Sequence, residues 1–83
     1  MYEGWHIEFS KHAIRRMSER MVDEHDVRQV IAAPDATEPN QSYGGILVSR
    51  YLADWDRILV VAVEERPIES VILVKTVLWS AAR

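Results

Sequence analysis

The second half of the chain carries three β-rich segments, ILVSRYL (46–52), RILVVAV (57–63) and SVILVKTVLW (70–79), parted only by short loops around Asp54 to Asp56 and Arg66 to Glu69. Loops this short join antiparallel neighbours, so the pattern predicts a β-meander. The middle segment is apolar on both faces from Ile58 to Val63, as a central strand is when neither of its faces is fully open to water. A chain of 83 residues has room for one domain, residues 1–83, and one hydrophobic core. The first half must therefore supply the layer that covers this sheet.

Two helix signals stand in that first half. Ser10 is an N-cap for a helix from Lys11 to Arg20, with Phe9 placed to staple onto the first turn. Asp23 caps a second helix over about residues 24–33, with Asp26 in its first turn and Val27, Val30 and Ile31 as its buried stripe, and Pro34 ends it. The tight turn between the two predicts a helical hairpin. The segment from Asp35 to Gly45 is polar and turn-rich, holding Pro39, Asn40, Gly44 and Gly45, although Ala36 to Glu38 suits a short edge strand. The expected fold class is α+β, an N-terminal helical hairpin packed on a three- or four-stranded antiparallel meander, with Ile14, Met17, Val27, Val30 and Ile31 facing Val60, Val61, Ile72 or Val74.

Within the first helix, His12, Arg16 and Arg20 recur every four residues and so share one side, which Glu19 joins, while Ala13, Ile14, Met17 and Met21 form a separate apolar stripe. Imidazole and guanidinium groups in a row suit an anion, phosphate first. A histidine exchanges protons near neutral pH, and arginines offset the charge that develops on a phosphodiester, so the set suits RNA cleavage without a metal. The structural alternative has Arg16 and Arg20 paired with Glu19 or with acids of the second helix.

Polar residues also interrupt the strands. Lys75 and Thr76 fall inside the apolar run 70–79, and Arg50 and Tyr51 inside 46–52; simple alternation puts the members of each pair on opposite faces. If Arg50 and Lys75 share a face, they extend the basic row into a pocket, with Arg50 and Tyr51 as substrate-binding residues. The structural alternative has Lys75 snorkelling at a sheet edge and Tyr51 packing through its ring.

Composition narrows the function classes. There is no cysteine, which removes disulfides, thiolate metal sites and cysteine nucleophiles, and His6, His12 and His25 are not at metal-ligand spacing. No cofactor or metal is expected. The net charge of −3 argues against bulk attraction to nucleic acid, yet the deficit sits in the middle. Residues 1–20 carry four basic and three acidic groups, residues 21–45 one and five, and residues 46–83 five of each. No run is long enough for a membrane span and no signal peptide is visible, so a cytoplasmic setting is expected. Trp5, Trp55 and Trp79 lie apart in sequence and read as core or interface residues before base-stacking ones.

At HAIRRMSER, with the following VDEHDVRQVIAAP and again at the terminal VILVKTVLW, the chain resembles a bacterial domain-of-unknown-function family, DUF4258. The family pattern is HA-x-x-R-M-x-x-R, a short amphipathic helix ending at a proline, and strands closing on V-x-T-V-aromatic. The likeness spans roughly residues 9–79. His12, Ala13, Arg16, Met17 and Arg20 match in place, while the glycine that often follows the last arginine is Met21 here. By size, two helices and antiparallel sheet, the family in turn is similar to RelE-type toxins, which implies a toxin-like RNA-binding protein or metal-independent endoribonuclease of a toxin–antitoxin pair, with RNA and a cognate antitoxin as partners. On that reading His12 transfers protons and Arg16, Arg20, Lys75 and Thr76 complete the catalytic set. The alternative is a non-enzymatic protein-interaction module. Because two short helices cover one side of a sheet, a homodimer through the other side is expected, using Leu59, Val61 and Val63 or the opposite set Ile58 and Val60.

Overall fold

The structure, a computed structural model, describes residues 2–42 and 44–81. It is α+β, with two helices on one face of a five-stranded mixed sheet. The elements in chain order are β1 (His6–Phe9), α1 (Lys11–Arg20), α2 (Glu24–Ala32), β2 (Ala36–Pro39), β3 (Ile46–Leu52), β4 (Arg57–Arg66) and β5 (Val71–Ala81). The sheet order is β1-β5-β4-β3-β2. Strands β2 to β5 form the expected antiparallel meander, with β2 as the short edge strand. The fifth strand departs from expectation: β1 pairs parallel to β5, Ile7 beside Ile72 and Phe9 beside Val74. Its four residues alternate polar and apolar, a pattern too brief to stand out without its distant partner.

The helix boundaries follow from local chemistry. Ser10 accepts the Ala13 amide at 3.0 Å, and Asp23 and Asp26 form a reciprocal capping box at the start of α2. Helix α1 closes on Met21 in the left-handed conformation, φ 57°, with the Val22 amide returned to the Met17 carbonyl at 2.9 Å. That is the glycine-like C′ geometry, occupied here by a methionine that is 74% exposed. The helices do not form a hairpin packed chiefly on itself. Each seats separately on the sheet, α1 on β5 and α2 on β3 and β4.

The core lies between helices and sheet. Ala13, Met17, Val27, Val30 and Ile31 meet Val48, Leu59, Val61, Val63, Ile72, Val74 and Val77. Two expectations need correction. Ile14 is 57% exposed, because a ten-residue helix on one strand buries a stripe only as wide as Ala13 and Met17. Val60 points to the opposite face from Val61, so Leu59, Val61 and Val63 serve the helix side, and Ile58 and Val60 form the other. The tryptophans, distant in sequence, also meet: Trp55 and Trp79 have ring centroids 5.7 Å apart, with the Arg57 guanidinium over Trp79. No helix among the described residues is long and apolar enough to cross a membrane.

Candidate functional site

The register of β4 and β5 slips once. Ala62 pairs with Thr76 while Val63 pairs with Val74, which makes Lys75 the extra residue of a β-bulge. Alternation through this point is broken, so Val74 and Val77 both enter the core, and Lys75 and Thr76 come to the same cleft instead of opposite faces. This corrects the expectation drawn from simple alternation.

The bulge is where β1 gives way to α1. Beyond Phe9 the outer edge of β5 loses its partner strand, and α1 takes over its carbonyl groups. The Ser10 amide donates to the Val74 carbonyl at 3.0 Å and the Ser10 hydroxyl to the Lys75 carbonyl at 3.2 Å. Ten residues on, Arg20 Nη1 donates to the Val77 carbonyl, and the Trp79 indole Nε1 returns a bond to the Arg20 carbonyl at 2.8 Å. The edge is thereby satisfied by the Ser10 amide and hydroxyl and the Arg20 guanidinium where no strand is available. The first turn of α1 is fixed beside the bulge, and His12, on that turn, stands over it.

The resulting cleft has a volume of about 330 Å³ and is lined by His12, Asn40, Ala62, Lys75 and Thr76. Sequence reasoning singled out His12, Lys75 and Thr76 as chemistry-bearing, and the fold brings all three together. Asn40 was legible only as a turn residue. Its placement comes from Gly45, whose φ of +77° and absent side chain let the loop lie against β4: a Cβ there would sit 2.4 Å from the Val63 carbonyl oxygen. The Asn40 amide donates to the Gly45 carbonyl at 3.0 Å, which carries Asn40 to the cleft.

The rest of the basic row lies outside the cleft. Arg16 pairs with Glu19 at 2.6 Å, and this bond, with Arg15 and Arg20 nearby, holds the Glu19 carboxyl below the usual carboxylate range. The pair is solvent-exposed and adds little to stability. Arg20 is engaged as the clamp on β5. Both keep positive charge along α1 without lining the cleft.

Arg50 and Tyr51 belong elsewhere. Arg50 is opposite Leu59 in the ladder, on the helix side of the sheet, and its Nη1 donates to the Ala33 carbonyl at 2.6 Å. It does not share a face with Lys75. Tyr51 donates its hydroxyl to Asp56 and its amide to Asp35 Oδ2 at 2.8 Å, and the Asp56 bond pushes the phenol above its ordinary range. These residues line a larger concavity of about 570 Å³ with Asp35, Ser49, Asp56 and Ile58. Its two carboxylates outnumber its one guanidinium, Tyr51 is bonded to both Asp35 and Asp56, and Arg50 is bonded to the Ala33 carbonyl, so it suits an anion poorly and braces the junction of β2, β3 and the following turn. Among the described residues, no group of three histidines or carboxylates is placed to hold a metal ion.

Residues 9–79 match the family described as Domain of unknown function (DUF4258), a span that contains every residue of the cleft. No curated protein and no solved structure matches the chain, so the similarity to RelE-type toxins is not supported by these comparisons.

Proposed function

The chain belongs to the DUF4258 family, and we propose that it binds single-stranded RNA at the bulge cleft and cleaves it without a metal. The observation that carries this reading is the gathering of His12, Lys75 and Thr76 in one cleft by the bulge in β5. Lys75 supplies the charge that holds a phosphodiester, and the Thr76 hydroxyl and the Asn40 side-chain NH2 supply neutral hydrogen bonds to its oxygens. His12 takes the proton of the ribose 2′-hydroxyl. The 2′-oxygen then forms a bond to phosphorus as the bond to the 5′-oxygen breaks; water protonates the leaving oxygen, and a 2′,3′-cyclic phosphate results. Arg15 and Arg16, on the same helix, strengthen the positive field along the approach.

The test is incubation of the purified chain with short single-stranded RNA in chelator. Cleavage is expected, with His12→Ala lowering the rate by about 10²- to 10⁴-fold and leaving the thermal melt in place. Lys75→Ala is expected to weaken RNA binding more than it lowers the maximal rate. Equal rates for the parent and His12→Ala, or no cleavage by either, would remove the catalytic part of the reading.

A further inference from the structure

Successive carbonyls of a regular strand point to opposite edges, so a neighbour along one edge meets every second one. Val74 and Lys75 are consecutive, yet both carbonyls point to the outer edge of β5 and both end on Ser10. The Ser10 amide donates to Val74 at 3.0 Å and the Ser10 hydroxyl to Lys75 at 3.2 Å. The extra residue of a bulge is the one that the ladder leaves unpaired, and here its carbonyl is taken by a side chain from outside the sheet.

The same hydroxyl oxygen accepts the Ala13 amide at 3.0 Å, as the N-cap of α1. Acceptor on one side and donor on the other, this half-buried group joins the first turn of α1, which carries His12, to the bulge, which carries Lys75. The Arg20 clamp holds the far end of α1 and bonds Val77, beyond the bulge. In an unbulged β5, Lys75 and Thr76 would lie on opposite faces and only one of them could reach His12. The bulged form brings both to the cleft.

We propose that Ser10 is the positioning residue of this cleft: its amide and hydroxyl hold β5 in the bulged form and set that form against the turn that carries His12. The bonding geometry carries the inference by itself, and its consequence for RNA cleavage rests on the function proposed above.

Three substitutions separate this role from capping, and each keeps the backbone amide. Ser10→Thr keeps the hydroxyl, Ser10→Gly ranks with threonine as an N-cap but has no hydroxyl, and Ser10→Asp keeps a capping acceptor but offers no proton to the Lys75 carbonyl. The reporters, on labelled protein without RNA, are the Lys75 carbonyl ¹³C shift, the Thr76 and Ala62 amide shifts and the His12 ring shifts. Circular dichroism follows the helix, and RNA cleavage in chelator follows activity. Ser10→Thr is expected to match the parent throughout. Ser10→Gly and Ser10→Asp are expected to keep the helical signal and to move the Lys75, Thr76, Ala62 and His12 resonances together. Both are expected to lower kcat by about 10- to 100-fold with a smaller change in KM. Parent-like resonances at Lys75 and Thr76 in the glycine and aspartate variants overturn the inference, and so do changes confined to residues 10–14. If Ser10→Asp unfolds, the contrast between the glycine and threonine variants decides. A parent that cleaves no RNA removes the proposed function, and the resonances still decide the role of Ser10.

Discussion

Arg20 matches the family pattern and stands in the basic row, yet its guanidinium is committed to the Val77 carbonyl. Replacing it with alanine separates the two roles. Val77 is fully buried, and its carbonyl lies on the stretch of β5 that β1 does not reach, so the bond it loses has no backbone replacement. A hydrogen bond to a charged group contributes about 1.5–3 kcal/mol. Arg20 is itself exposed, so water partly substitutes, and the low end of that range applies, about 1.5 kcal/mol. For a domain of this size that lowers the melting temperature by about 6–12 °C. The assay is thermal denaturation by circular dichroism, run beside RNA binding on the same preparations. Arg20→Ala is expected to melt early and to bind RNA, when folded, about as well as the parent. An unchanged melt with lost RNA binding would refute the clamp and return Arg20 to the binding site.

Three other outcomes are expected. Gly45→Ala places a Cβ against the Val63 carbonyl at a positive φ, so it should destabilise by roughly 1–3 kcal/mol in denaturant titration and loosen Asn40 from the cleft. Met21→Gly relieves the left-handed strain at the end of α1 and should raise the denaturation midpoint by roughly 1 kcal/mol equivalent, since the methionine side chain is largely in solvent. The Tyr51 phenol should ionise above the ordinary ~10, and Asp56→Asn should bring it down, followed by ultraviolet difference absorbance. Because the folded-state value is raised, the stability this bond contributes is whole below the unfolded phenol's pKa and is lost as pH rises through the folded one.

What the sequence disclosed was governed by locality. Ser10, Asp23 and Pro34 act within a turn of their own positions, and they set the helices at Lys11–Arg20 and Glu24–Ala32. The central place of β4 followed from its apolar run, which both neighbouring strands require. Strand β1 was hidden because four alternating residues mean little until Val71 to Val74 are brought beside them. The bulge at Lys75 was hidden for a related reason: it depends on the register of β4 against β5 and on Ser10 taking the Lys75 carbonyl, 65 residues away. For that reason His12, Lys75 and Thr76 are legible as candidates but not as one cleft, and whether Arg50 shares a face with Lys75 stays open until the ladder through β4 puts Arg50 on the helix side. At Met21 the absent family glycine marks the position in the sequence, and the backbone angle of φ 57° shows the strain there.

The central claim is that the bulge in β5 makes one phosphate-binding cleft with the start of α1. It is tested most directly by titrating ¹⁵N-labelled protein with a short single-stranded RNA in chelator and following amide and side-chain shifts residue by residue. The account predicts that the perturbed set centres on His12, Asn40, Ala62, Lys75 and Thr76 and that Lys75→Ala shifts the titration to higher RNA concentration. Perturbation centred on Asp35, Arg50 and Tyr51, or no perturbation at millimolar RNA, would contradict it.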